Sequence, residues 1–256
     1  PGIAGWAFGY SLMIAVVTLL YPSLEETGAL LNVLNGLGLL DAVTTTRAAD
    51  VAALATFPGY LALEAMGWAP TILAVYLIPQ TINAIMGEEQ RGTLDILLSA
   101  PLPRWRLLAE KLAAILVALG LILLVMFVTL ALATNIISGV DMTLAQAAAG
   151  MWHVFPITCC IIGVTLLLSV TLRSPRTVGG AAAFFVLGNL FFRTFADIAG
   201  TPFMQSARRL TLYDYYSAID AMVNRVPWET DIALLVLAAL LYSAAIWQFN
   251  RRDIGV

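Results

Sequence analysis

Six apolar runs divide the chain: Gly2 to Tyr21, Met66 to Met86, Leu112 to Ser138, Ala147 to Leu172, Thr177 to Phe192 and Ile232 to Phe249. Nearly all the charge falls between them. Crossing the hydrocarbon core takes roughly 20 apolar residues in a helix. Inside a bilayer no water satisfies the backbone, so each run must be helical. Apart from His153, no run contains an acidic or basic side chain. The fifth run is the shortest, and it is expected to tilt, break or continue past Arg193. The fold predicted is all-α and integral to the membrane, with six transmembrane helices in a single domain over residues 1–256.

Two of the intervening stretches are too long for simple turns. Pro22 to Ala65 carries Leu30, Leu34 and Leu37 at helical spacing, with Glu25, Glu26 and Asp41 at the ends of the pattern. One or two amphipathic helices lying on the outer surface fit that stretch. A second helical piece leads into the next span and is expected to be interrupted at Pro58-Gly59. Arg193 to Asp231 holds Tyr213, Tyr215 and Tyr216, which fit a structured outer cap better than an aromatic ligand box. The six tryptophans (Trp6, Trp68, Trp105, Trp152, Trp228 and Trp247) all fall at or near span ends. Indole favours that depth, where its ring is buried and its N–H stays wet.

Charge sets the orientation. With a cytoplasmic N-terminus, the inner segments hold eight Lys and Arg against five acids, and the outer segments hold five against eleven. The positive-inside rule favours this arrangement, with both termini cytoplasmic. The composition, 61% hydrophobic and 11% charged with a mean hydropathy of +0.89, lies far from that of a soluble domain, which is about 25% charged. An acidic balance, with a pI near 5.1, argues against a nucleic-acid partner. Adjacent Cys159 and Cys160 point about 100° apart on a helix and are unsuited to an intrahelical disulfide. A chain that opens on Pro1 reads as trimmed, or as part of a longer polypeptide.

The most informative charged stretch is GEEQRGTLDILLSAPLPRWRLLAEK, Gly87 to Lys111, between the second and third runs. Glu88 to Ala100 reads as a short amphipathic helix. Leu94, Leu97 and Leu98 form its apolar stripe, and Glu88, Arg91 and Asp95 its charged stripe, with Arg91 and Asp95 one turn apart. Pro101 and Pro103 end it. A new helix then runs through Glu110 and Lys111 into the third span. Topology alone explains the cations. It does not explain an apolar stripe held outside the bilayer, which must be buried against the membrane surface or a partner.

This stretch resembles the signature of the type-2 permeases of ATP-binding-cassette (ABC) exporters. Glu88, Glu89, Gly92, Thr93, Asp95, Leu97, Leu98, Pro101, Arg104 and Lys111 occupy the positions of that signature. Six spans, a long outer segment after the first, an outer element between the fifth and sixth, and a C-terminal NRRDI extend the resemblance over the whole chain. It implies a cytoplasmic coupling helix that docks on a nucleotide-binding ATPase subunit through Glu88, Glu89, Arg91, Gly92, Thr93, Leu94, Asp95, Leu97, Leu98, Pro101 and Arg104. It also implies pairing with a second six-span unit, which is an identical copy, a paralogue or the other half of a longer chain. Spans one, two and five would rearrange around a central cavity. The implied location is the plasma membrane of a prokaryote. Members usually carry a cytoplasmic amphipathic helix before the first span, whereas only PGIAG precedes Trp6 here. That helix is expected either to have been removed or to lie in another piece of the polypeptide.

Chemistry within the chain is sparse. GxxxxGK[ST] is absent and Lys111 is the only lysine, so ATP and Mg would bind the partner ATPase, with no cofactor in this chain. No metal site and no nucleophile–base pair is apparent around the single histidine. Gln80 and Asn83 suit interhelical hydrogen bonds first and pathway lining second; Asn189 is a further candidate for lining. His153 is expected to be a wet interfacial residue. Thr158, Thr165 and Ser169 can bond back to their own helix. The small-residue run Gly179 to Ala183 suits close helix packing. The function expected is a non-enzymatic permease subunit exporting a hydrophobic or amphipathic substrate. A non-transporting membrane scaffold is the alternative. A gradient-driven transporter fits less well, since no run carries a titratable residue at mid-depth.

Overall fold

The computed structural model describes residues 2–26, 56–90 and 104–251. Its main helices are α1 (Gly2–Glu26), α2 (Phe57–Glu64), α3 (Ala69–Gln90), α4 (Arg104–Ile136), α5 (Leu144–Thr171), α6 (Pro175–Ala199), α7 (Pro202–Arg208) and α8 (Trp228–Arg251). Among the described residues there is no β-strand. Six stretches are long and apolar enough to cross a membrane: Gly2–Ser23, Phe57–Gly87, Trp105–Ile136, Leu144–Thr171, Pro175–Ala199 and Trp228–Arg251. The chain is therefore a multi-pass, all-α membrane protein. The described residues group into two compact units, one drawn from Pro1–Ala69, Leu121–Val154 and Ser217–Pro227, the other from Pro70–Gly120, Phe155–Tyr216 and Trp228–Val256.

In the first unit, α1 is pinned by two aromatic devices. The Tyr10 hydroxyl donates to the Ala65 carbonyl at 2.7 Å, and the Tyr21 ring meets Phe57 edge-on at 5.1 Å. An edge-to-face pair of this kind adds about 0.5–1.5 kcal/mol beyond its burial. Pro58-Gly59 does not interrupt a helix in the described stretch; it starts one. Thr56 is the N-cap of α2, its hydroxyl accepting from the Gly59 N–H at 3.3 Å, and Pro58 occupies the first turn, where no N–H is needed. The 3₁₀ turn Met66–Trp68 then leads into α3. At the start of α5, the Thr143 hydroxyl accepts from the Gln146 N–H while the Gln146 side chain accepts from the Thr143 N–H. That reciprocal box fixes where the helix begins.

Within the second unit, α5 and α8 pack closely. A Cβ on Gly163 would lie 2.9 Å from Leu241 Cβ, so only glycine admits this approach without displacement. Tyr242 donates to the Cys159 carbonyl at 2.8 Å, and the Cys160 thiol donates to the Leu234 carbonyl at 3.1 Å. Both cysteines are free thiols. Thr158, Thr165 and Ser169 each bond to a carbonyl of the preceding turn of α5, at 2.8 Å.

The fifth span continues past Arg193 to Ala199, where Gly200 (φ 61°) closes the helix in the left-handed conformation. Its charges are tolerated because they are answered locally. Arg193 donates to the Tyr216 carbonyl at 3.0 Å, and Asp197 pairs with Arg208 of α7. By contrast α6 and α8 leave much of their apolar surface open, with Phe184, Phe191, Phe195, Ile232, Val236 and Leu240 all exposed. Such faces suit lipid or a neighbouring helix.

Candidate functional site: an apolar cavity between α3 and α6

α3 and α6 flank a cavity of about 410 Å³ in the second unit. Val75, Ile78, Pro79 and Ile82 of α3 face Gly179, Ala183, Val186 and Leu187 of α6 across it. The small residues help make the space: positions 179 and 183 present no bulk to the larger side chains of α3. A Cβ on Gly179 would reach ordinary contact with Ile82, at 3.6 Å, so the space at that end admits a methyl group. Among the described residues, polar groups line it only near the two ends, at Thr71 and Asn83, and no charged side chain lines the walls. The Thr71 hydroxyl is already bonded to the Tyr213 hydroxyl at 2.7 Å. Exposed Asn83 presents a carboxamide at the other end, one turn before Gly87, where the apolar stretch of the helix stops.

The other residues singled out from sequence fall differently. Gln80 is exposed on α3, outside this lining. Asn189 is occupied at both ends of its amide: it donates to the Phe185 carbonyl at 2.7 Å and accepts from the Leu212 N–H at 2.9 Å. It borders a second apolar cavity, of about 590 Å³, with Phe184, Phe185 and Phe192. Glu88 and Glu89 lie in the last turn of α3 and Arg104 opens α4. Arg91, Gly92, Thr93, Leu94, Asp95, Leu97, Leu98 and Pro101 lie outside the described residues, as does most of the stretch read as outer amphipathic helices.

The segment after α6 forms a compact cap. Tyr213 and Tyr216 are buried and Tyr215 is exposed, its hydroxyl donating to the Arg209 carbonyl at 2.9 Å. Burial pushes the Tyr213 phenol up to about 12, against a smaller lowering by its bond to Thr71. Arg208 bridges Asp197 and Asp214, reaching the latter at 2.5 Å. Partial burial works against its charge, but the two carboxylates together outweigh it and hold the guanidinium above its ordinary value. Buried Tyr213, through its bond to Thr71, ties the cap to α3.

His153 is fully buried, not wet. In the first unit its Nε2 accepts the Ser217 backbone N–H at 3.0 Å. The Ser217 hydroxyl in turn accepts from the Asp220 N–H, opening the π-turn Asp220–Asn224. Depth along the helix gave no sign of this, because the partner is 64 residues away in sequence. Among the described residues, no three of His, Cys, Asp and Glu come together as a metal site would require.

None of the curated proteins matches this chain. A family model described as "ABC-2 family transporter protein" matches residues 8–254, nearly the full length, from within the first apolar helix through the sixth. The chain therefore belongs to the ABC-2 family of transporter proteins, as a membrane-spanning permease subunit.

Proposed function

We propose that this permease works as half of an ATP-driven exporter of a hydrophobic or amphipathic substrate, docked on a cytoplasmic ATPase subunit through residues 88–100. The family match over residues 8–254 carries this reading. The sequence adds the apolar stripe of Leu94, Leu97 and Leu98 beside the acidic pair Glu88 and Glu89. ATP and Mg bind the ATPase subunits, and ATP closes them as a pair. The coupling segment moves with them and pulls on α3, whose last turn already includes Glu88 and Glu89, and on α4, which begins at Arg104. ATP drives transport only to the extent that it binds the two states with different affinity. Both termini lie in the cytoplasm, a second six-span unit completes the pathway, and the α3–α6 cavity contributes an apolar wall.

The test is purification of the native-length protein from its own membrane in mild detergent, assayed for ATPase activity. A stoichiometric ATPase subunit is expected to co-purify, and replacing Leu97 and Leu98 together by Asp should remove it without loss of membrane insertion. Retention of the ATPase by that variant would refute the docking assignment. A wild-type chain that purifies with no ATPase would favour a scaffold.

A further inference from the structure

From the shape of the α3–α6 cavity, we infer that it binds the single hydrocarbon chain of an amphiphile, with the adjoining uncharged polar group at Asn83 and the chain end toward Thr71. From Thr71 to Asn83 the cavity follows thirteen residues of α3, a rise of about 18 Å along the helix. One leaflet of a bilayer with a hydrocarbon core of about 30 Å is about 15 Å deep. The site is thus about one chain long. Its volume, about 410 Å³, lies near the lower end of the range for small-molecule pockets. No charged side chain among the described residues lines it, so these walls read hydrocarbon along their length and offer hydrogen bonds at the ends.

Polarity gives the direction. At the Thr71 end the hydroxyl is engaged by Tyr213, and the aliphatic side chains of Ala74, Val75, Val186 and Leu187 border the space, Val75 and Leu187 being exposed. Toward the other end Asn83 lies one turn from the limit of the apolar stretch, where a headgroup meets water. Its amide both donates to and accepts from an ester, amide or hydroxyl at the head of the chain. With the orientation proposed above, that headgroup belongs to the cytoplasmic leaflet. Whether the amphiphile is cargo rests on the proposed function; the binding of a chain does not.

The experiment uses the full chain in native membranes and a lysophosphatidylglycerol whose palmitoyl chain carries a diazirine, at its tip or next to its ester. After irradiation, mass spectrometry locates the crosslinks. The tip probe is expected to label Thr71 to Val75 and Val186 to Leu187, and the ester-proximal probe Ile82, Asn83 and Gly179. Filling the cavity, by Ala183→Phe or independently by Val75→Phe, should cut this labelling about tenfold, a loss of about 1.4 kcal/mol. The second variant keeps the test open if the first fails to fold. Labelling spread over α1 and α8 alike, and unchanged in both filled variants, overturns the inference. So does a reversed map of tip and head. A diacyl phosphatidylglycerol probe separates the sources. If it labels equally, the site holds bilayer lipid. If only the single-chain probe labels, and it also raises ATPase activity of the purified complex, the site holds cargo. Because labelling is read without ATPase, a chain lacking the ATPase subunit would overturn the proposed function and leave the labelling result intact.

Discussion

Replacing Gly163 by Ala tests how tightly α5 and α8 are joined. A methyl there would meet Leu241 Cβ at 2.9 Å, Leu241 Cδ1 at 3.2 Å and Tyr242 Cε1 at 3.3 Å. Carbon atoms rest at about 3.5–4.0 Å. The nearest atom sits at the root of its side chain, so a rotamer change cannot relieve the clash and α8 must move. Overpacking of this kind costs about 1–3 kcal/mol. Movement also stretches the Tyr242–Cys159 bond, now 2.8 Å. An interhelical hydrogen bond in a membrane is worth about 0.6 kcal/mol. Alanine offsets about 1 kcal/mol of this through its better helix propensity. The control is Gly180→Ala on α6, where a Cβ meets nothing within 4 Å. Both substitutions share the propensity gain, so their difference isolates packing, and it should be about 2 kcal/mol. Reversible unfolding in mixed micelles, followed by tryptophan fluorescence, measures it. If Gly163→Ala is as stable as Gly180→Ala to within about 0.5 kcal/mol, the close approach of the two helices is wrong.

Other expectations follow from the cap and from the buried histidine. His153→Phe leaves the Ser217 N–H without its 3.0 Å acceptor, costing about 1–3 kcal/mol, while His153→Gln restores an acceptor; hydrogen exchange at Ser217 should quicken in the first and less in the second. Tyr213 has its pKa raised from 10.0 to about 12, so the neutral phenol is favoured in the folded state. Its contribution to stability is fully present below pH 10 and is lost as pH rises toward 12. Tyr213→Phe should flatten that part of the stability–pH curve while lowering stability at neutral pH, as read by thermal unfolding.

The spans were legible because lipid imposes a simple requirement: about twenty apolar residues, all helical. Helix ends were less so. The fifth apolar run ends at Phe192 and left three outcomes open, to tilt, break or continue; the helix continues, because the Tyr216 carbonyl and Arg208 answer Arg193 and Asp197. A hydropathy pattern counts such charges as costs and cannot see a partner further along the chain. His153 was misplaced for the same reason, its acceptor role being set by a backbone N–H in another segment. Gly179 and Ala183 were read as packing residues. Gly179 does pack near Ile82, yet the pair also leaves the space that forms the cavity. A small side chain permits contact or a void, and the facing residues decide which. Asn189 borders a cavity, the second one, and its amide also tethers the Leu212 N–H, a backbone partner that polarity alone does not reveal.

The tryptophans of α8 make the protein sensitive to bilayer thickness. Trp228 opens the helix, and near its other end the Arg251 guanidinium lies 4.0 Å over the Trp247 ring. Nineteen residues separate the two indoles, about 28 Å along the axis. That matches a hydrocarbon core of about 30 Å and sits closest to the thinner membranes in the natural range. In a thicker bilayer the indoles would be drawn below the headgroups, or the lipid would have to thin around them, at a fraction of a kcal/mol for each ångström of mismatch. The helix is thus a ruler, and acyl-chain length in the surrounding lipid becomes a variable that sets how comfortably this permease sits in its membrane.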